Sequence, residues 1–149
     1  MKVALFPGTF DPFTVGHKDI VDRALRSVAD KVVIAIGRNS SKQCWQTVEE
    51  RLENIRRLYQ DDARVSVVAY DGLTIDFAQE VGADFLLRGV RSMKDFEYER
   101  DIADTNRQLT GIDTVLFYTD PQLAHISSSI VRELASYGRD VSAFLPEKT

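Results

Sequence analysis

The chain alternates between short unbroken apolar runs and longer stretches in which apolar positions recur every three to four residues. The unbroken runs fall at 2–6, 32–36 (Val32-Val33-Ile34-Ala35-Ile36), 65–69, 84–87 and 113–118. Continuous apolarity over so short a length marks a parallel strand covered on both faces, because neither side of its pleat meets water. The first helical stretch carries Ile20, Val21, Ala24, Leu25 and Val28 on one stripe. The second carries Val48, Leu52, Ile55 and Tyr59, and Thr47-Val48-Glu49-Glu50 at its start reads as a capping box. A third covers 73–81 and stops at Gly82, a fourth covers 95–109, and a fifth covers 128–137 before Gly138.

Five strand–helix units at this spacing predict an α/β fold: a Rossmann-like, doubly wound five-stranded parallel sheet with helices on both faces and right-handed crossovers. One domain over 1–149 suits the length. In such sheets ligands bind beyond the carboxyl ends of the strands, where the strand order reverses. Residues that amphipathicity does not explain collect at those ends. Thr9 to His17 follow the first strand, Ser41-Lys42 the second, Arg88-Gly89-Val90-Arg91 the fourth, and Ser127-Ser128-Ser129 the fifth.

Composition narrows the class without changing the fold. The chain is 44% hydrophobic and 28% charged, ordinary for a globular protein, and has no long apolar stretch to span a membrane. The opening Met1 to Phe6 is too short, and too soon broken by Pro7, for a signal peptide. A single Cys44 excludes an internal disulfide framework and fits a reducing compartment, so cytoplasm is the expected location. A net charge of −4 argues against charge-driven binding to nucleic acid or to an anionic membrane. An anionic substrate then needs a local cluster of positive groups.

Such a cluster is present in the pattern. Thr14-x-Gly16-His17 closes a Gly/Pro-rich turn as a helix begins, which aims backbone N–H groups and an imidazole at one point and suits a phosphate. His17 is either directed at that phosphate or simply packs at the turn. Arg88 and Arg91 flank Gly89 and can each fork a phosphate, the alternative being a solvated surface pair. Ser127-Ser128-Ser129 is either a helix N-cap with spare hydroxyls or a nest of donors for a polyphosphate. Lys42 alone in a polar loop says little, and the charged run Asp95 to Asp101 reads as a solvated helix face. His125, Cys44 and Trp45 read as structural. Dinucleotide, Walker and nucleophile-elbow motifs and Cys/His metal spacings are all lacking. A phosphate-rich site without an evident covalent nucleophile fits nucleotidyl transfer onto a substrate phosphate, which needs positioning and charge stabilisation more than acid–base machinery.

Taken together, Pro7-Gly8-Thr9-Phe10-Asp11-Pro12, Thr14-x-Gly16-His17, Arg88-Gly89-x-Arg91, Phe96-Glu97-Tyr98-Glu99 and Ile126-Ser127-Ser128-Ser129 closely resemble the bacterial phosphopantetheine adenylyltransferases. The match runs in order through nearly the whole chain to Phe144-Leu145-Pro146-Glu147. The resemblance implies transfer of the adenylyl group of ATP to 4′-phosphopantetheine, giving dephospho-coenzyme A and pyrophosphate, the penultimate step of coenzyme A synthesis. It implies that His17 binds ATP phosphate and stabilises the transition state. It assigns Thr9, Phe10, Gly89, Val90, Arg91, Glu99 and the stretch Leu123, Ala124, His125, Ile126, Ser127, Ser128 and Ser129 to ATP. Thr9, Lys42, Thr74 and Arg88 go to phosphopantetheine. It further implies magnesium (Mg2+) with the triphosphate, a homohexamer, and coenzyme A as a feedback ligand. Gln43-Cys44-Trp45-Gln46 and Leu123-Ala124-His125 depart from the residues common in the family at those places. Alternatives with the same fold are adenylyl transfer to nicotinamide mononucleotide and a CTP enzyme acting on a small alcohol phosphate. A nucleotide sensor without catalysis is the alternative of another class.

Overall fold

The computed structural model describes residues 1–38 and 44–147. Five parallel strands, β1 (Val3–Gly8), β2 (Lys31–Gly37), β3 (Val65–Tyr70), β4 (Phe85–Val90) and β5 (Asp113–Tyr118), lie in the order β3-β2-β1-β4-β5. Helices α1 (Val15–Ser27), α2 (Val48–Leu58), α3 (Thr74–Glu80), α4 (Met93–Thr110) and α5 (Ser128–Ser136) accompany them, with a short 3-10 turn at Ser142–Phe144. The predicted fold class and all five strand–helix units are present.

Alternate side chains of each strand enter different cores, as the period of two requires. Ala4 and Phe6 of β1 and Leu87 of β4 pack with Ile20, Val21 and Ala24 of α1 and Ile55 of α2. Leu5 and Leu86 pack on the opposite face with Ile75 and Ala78 of α3. Both faces of the central strands are thus covered, which is why their sequences are apolar throughout.

The strand order reverses between β1 and β4. Their pairing is short, with Ala4 opposite Phe85 and Leu5 opposite Leu86, whereas β1 pairs with β2 from Val3 to Gly8. A crevice opens beyond Leu5 and Leu86, and the ends of β1 and β4 border it. Strand alternation then decides where Arg88 and Gly89 go. Arg88 shares the parity of Leu86 and projects toward the α3–α4 face. Gly89 shares that of Leu87 and faces α1, where a Cβ would stand 3.3 Å from Ile20 Cγ1.

Two helix starts differ from expectation. At α2, Thr47 accepts the Glu50 N–H (3.1 Å), but the Glu50 carboxylate takes the Thr47 hydroxyl (3.2 Å) rather than its backbone N–H, so only half of the box forms. The complete reciprocal box lies at α1 and uses an imidazole in place of a carboxylate. Helix α4 starts at Met93, two residues before the predicted 95, because Ser92 caps it by accepting the Asp95 N–H at 3.2 Å. It ends at Gly111, whose φ of 78° is the left-handed conformation that costs other residues strain.

Candidate functional site

The turn after β1 is held in place from several elements at once. Phe10 holds a φ of 51°, costly for a residue with a Cβ, and its ring lies over Gly8. A Cβ at Gly8 would stand 2.8 Å from Phe10 Cζ, so only glycine admits the ring there. Two arginines hold the turn by its carbonyls. Buried Arg51 of α2 donates Nη1–H to Thr9 O (2.6 Å) and Nε–H to Gln46 O (3.2 Å) and Thr47 O (3.3 Å). Arg132 of α5 donates to Asp11 O at 2.7 Å, and the Ser128 hydroxyl donates to Pro12 O at 2.7 Å. The buried Asp11 carboxylate in turn accepts the N–H groups of Trp45 (2.6 Å) and Gln46 (2.8 Å), tying the end of the β2–α2 connection to this turn.

His17 sits at the third position of α1, ringed by Phe6, Phe10 and Phe13 with centroid separations of 6.3, 5.0 and 5.3 Å. Thr14 caps the helix: its hydroxyl accepts the His17 N–H at 3.4 Å, and its own N–H donates to His17 Nδ1 at 2.9 Å. A backbone N–H can only donate, so Nδ1 must carry the lone pair and the ring proton stands on Nε2. Burial among the three phenylalanines lowers the imidazole pKa to about 3, and the Arg88 and Arg91 charges push it the same way. At neutral pH His17 is a neutral donor with one defined N–H.

A cavity of about 310 Å³ opens over this turn. Its walls bring together Thr9, Phe10 and His17 from the first turn, Arg88, Gly89 and Arg91 from the end of β4, and Ile126 to Ser129 from the start of α5. Two helix N-termini therefore converge on it, each with first-turn N–H groups lacking intrahelical acceptors and the positive end of a dipole. Among the described residues, no carboxylate lines it. Each of the three serine hydroxyls makes a hydrogen bond, but only that of Ser128 spends its proton. Ser127 caps α5 by accepting the Ile130 N–H (3.2 Å), Ser128 bonds Pro12 O, and Ser129 accepts from Arg132 Nη2 (3.2 Å). The N-cap alternative thus holds for Ser127, and because Ser127 and Ser129 only accept in these bonds, their O–H groups remain as donors for a ligand beside the backbone N–H groups.

A second cavity of about 270 Å³ adjoins the first and shares Pro7, Gly8, Thr9 and Arg88 with it. Thr74, Tyr70 and Glu99 line it, with the Tyr70 hydroxyl 2.7 Å from Thr74 Oγ1. Thr9 and Arg88 thus stand at the junction of two spaces, one rich in anion donors and one walled largely by apolar side chains.

Several sequence-predicted site residues are not brought to the first cavity. Glu99 lies on the second and grips Arg88. Val90 lines a neighbouring recess with Met93, Phe96 and Tyr118. His125 packs edge-on toward Phe144, with centroids 6.4 Å apart, and Leu123 and Ala124 stand in the turn that precedes it. Lys42 lies outside the described residues. Sequence reasoning missed Asp11, Arg51 and Arg132. Arg51 had a signal, since it interrupts the apolar stripe of α2 one turn before Ile55, and a cation on a buried stripe needs partners.

The cytidylyltransferase-like family model matches residues 5–134. Among curated proteins, the phosphopantetheine adenylyltransferases of Bacteroides thetaiotaomicron and Phocaeicola vulgatus are 54% and 56% identical to this chain over 147 residues. Each alignment covers 99% of the chain and 97% of the relative. That of Porphyromonas gingivalis is 55% identical over 146 residues, 98% of this chain and 95% of its own. Among solved structures, the lipopolysaccharide core biosynthesis protein of Thermoplasma volcanium is similar with a TM-score of 0.59 at 20% identity, over 80% of this chain and 97% of that one, a likeness of fold.

Proposed function

The chain belongs to the cytidylyltransferase-like family and, within it, to the phosphopantetheine adenylyltransferases, and from that membership we propose how its residues carry the reaction. The reaction is transfer of the adenylyl group of ATP to 4′-phosphopantetheine. A phosphate oxygen of the acceptor attacks the α-phosphorus in line, the bond from that phosphorus to the bridging oxygen breaks, and pyrophosphate leaves with the electron pair. The attacking phosphate is an anion at neutral pH, so no general base is required.

The observation that carries this reading is the convergence of two helix N-termini, two guanidiniums and a neutral imidazole on one cavity with no carboxylate among its described lining residues. In this proposal the α5 amides and Arg91 hold the β- and γ-phosphates. His17 Nε2–H and the α1 N-terminus face the α-phosphoryl oxygens, where negative charge grows in the five-coordinate transition state. A neutral donor suits that task, because it stabilises the developing charge without drawing a proton from the substrate. Thr9 and Arg88, at the junction of the cavities, hold the acceptor phosphate with Lys42, and the pantetheine arm runs along Thr74 in the second cavity. Gly89, Val90 and the 123–126 turn take the adenosine end, with Phe10 beneath.

The residues lining the first cavity do not fit a resident magnesium ion, which asks for at least one carboxylate. Magnesium enters this reading as part of the MgATP substrate, and no step is routed through it. Homohexamer assembly, a cytoplasmic location and coenzyme A as a feedback ligand are parts of the same proposal. Exposed Tyr118 and Tyr137 offer apolar area for assembly, and no described helix is long and apolar enough to cross a membrane.

Pyrophosphate release tests the reading directly, with ATP and 4′-phosphopantetheine in one arm and with nicotinamide mononucleotide, or CTP and an alcohol phosphate, in the others. Only the first arm should turn over. His17→Ala should lower kcat on the order of 10²–10³-fold, as for loss of one preorganised donor. Its far-UV circular dichroism should stay unchanged. Near-normal turnover in that variant would remove His17 from the mechanism, and ATP binding without pyrophosphate release in the wild type would favour a sensor.

A further inference from the structure

We propose that Tyr70 is a specificity residue for the acceptor: its hydroxyl, paired with that of Thr74, presents one directed O–H to the oxygens of the acceptor's arm nearest the phosphate. The inference rests on the assignment of the second cavity to that arm. Tyr70 ends β3 and is buried in the core that holds Leu5, Ile75 and Ala78. Its ring is stacked on Phe77, with centroids 4.9 Å apart and planes 10° from parallel. Packing and stacking use the ring alone, as a phenylalanine would. The hydroxyl is surplus to both, and Tyr70 stands at the wall of the second cavity.

There the Tyr70 hydroxyl lies 2.7 Å from Thr74 Oγ1. The two hydroxyls own two protons, and their mutual bond consumes one. Whichever oxygen donates, the other keeps its proton, so the pair offers a ligand one O–H donor beside an oxygen with only lone pairs. A single hydroxyl rotates freely, whereas in the pair each oxygen fixes the rotation of the other. An acceptor oxygen placed at this wall therefore meets a donor already oriented, at a smaller entropy cost.

Strand order decides where along the arm this donor acts. A Cβ at Gly37 would stand 3.4 Å from the Tyr70 hydroxyl, so that hydroxyl lies over the last residue of β2. Strand β2 neighbours β1, and adjacent strands are about 5 Å apart. Thr9, assigned above to the acceptor phosphate, directly follows β1. One strand spacing from that phosphate reaches past the quaternary carbon of 4′-phosphopantetheine to the hydroxyl and carbonyl oxygens that come next.

Neopentyl phosphate ends at that quaternary carbon and lacks both oxygens, so it reports the phosphate end alone. Steady-state pyrophosphate release by the full chain is measured with ATP and 4′-phosphopantetheine varied in turn, and neopentyl phosphate is titrated as a competitor of the acceptor. In Tyr70→Phe the KM for 4′-phosphopantetheine should rise about fivefold, the loss of one net hydrogen bond. The KM for ATP and the inhibition constant of neopentyl phosphate should each change less than about twofold, since neither ligand reaches the hydroxyl pair. Thr74→Val should show the same split. The double variant should raise the acceptor KM by about tenfold at most, short of the roughly 25-fold of two independent contacts, because the two hydroxyls act as a unit.

An unmoved acceptor KM in Tyr70→Phe would overturn the proposal. So would an equal rise in the neopentyl phosphate constant, which marks a packing role, and so would fully multiplicative effects of the two substitutions. If Tyr70→Phe failed to fold, Thr74→Val would carry the comparison of acceptor with competitor. If the wild-type chain released pyrophosphate only with another phosphate acceptor, the reading of the substrate would fall instead. The KM of Tyr70→Phe for that acceptor would then decide separately whether the hydroxyl pair touches it.

Discussion

The burial of His17 ties its protonation to folding, and the tie has a sign and a size. The imidazole pKa falls from 6.5 to about 3, chiefly because Phe6, Phe10 and Phe13 exclude water from the ring and secondarily because Arg88 and Arg91 repel a second positive charge. Below pH 6.5 the unfolded chain takes up a proton at this position and the folded chain does not. Stability from this group is therefore complete above pH 6.5 and is lost as pH falls toward 3. At about 1.36 kcal/mol per unit, the loss reaches about 2 kcal/mol by pH 5. Urea unfolding at pH 7.5 and at pH 5, on wild type and His17→Gln, isolates the term: the wild type should lose about 2 kcal/mol more than the variant across that interval. The chain has two histidines, so His125→Gln leaves one imidazole for long-range 1H–15N correlation spectra. In the folded protein its Nε2 should carry the proton, its Nδ1 should not, and neither shift should move between pH 7.5 and pH 5. Equal acid slopes for wild type and His17→Gln, a midpoint near 6.5, or a proton on Nδ1 would refute the account of a desolvated donor held by the Thr14 N–H.

Two further substitutions probe the frame around that ring. Gly8→Ala places a methyl 2.8 Å from Phe10 Cζ, so Phe10 must move off a ring centred 5.0 Å from that of His17. Overpacking of this kind costs about 1–3 kcal/mol, and thermal unfolding should show that loss together with a lower kcat. Arg51→Met keeps the buried stem but leaves Thr9 O without the donor it holds at 2.6 Å. Denaturant titration should show about 2–3 kcal/mol of destabilisation, and the acceptor KM should rise because Thr9 is no longer held.

The strands were legible because burial on both faces leaves a signature no other short element shares, and the helices because one stripe of each meets the sheet. The places where anions can sit were legible for a related reason. They lie at strand ends, where amphipathicity has stopped constraining composition, so Thr14, His17, Arg88, Arg91 and the serines stood out. What those side chains do to one another was not legible. Partners such as Arg88 and Pro7, or Asp11 and Trp45, meet through sheet order and turn geometry across dozens of residues, and sequence spacing carries no trace of either. Charge misled for the same reason: the run from Asp95 to Asp101 has the composition of a solvated face, and only the parity of Arg88 on β4 reveals that one member, Glu99, must turn inward to meet it.

The same distinction explains how an acidic chain holds a polyanion. Its positive potential does not come from an excess of lysine and arginine, which a count would detect. It comes from two helix N-termini aimed at one cavity and from guanidiniums whose counter-ions are placed to their sides, Glu99 on Arg88 and Asp95 on Arg91. Those carboxylates cancel charge at long range, so the surface stays unattractive to nucleic acid, while the unpaired N–H groups keep their direction at short range. A site built this way selects a phosphate by geometry more than by net charge. Its affinity for ligand should consequently fall less steeply with salt than that of a basic patch would.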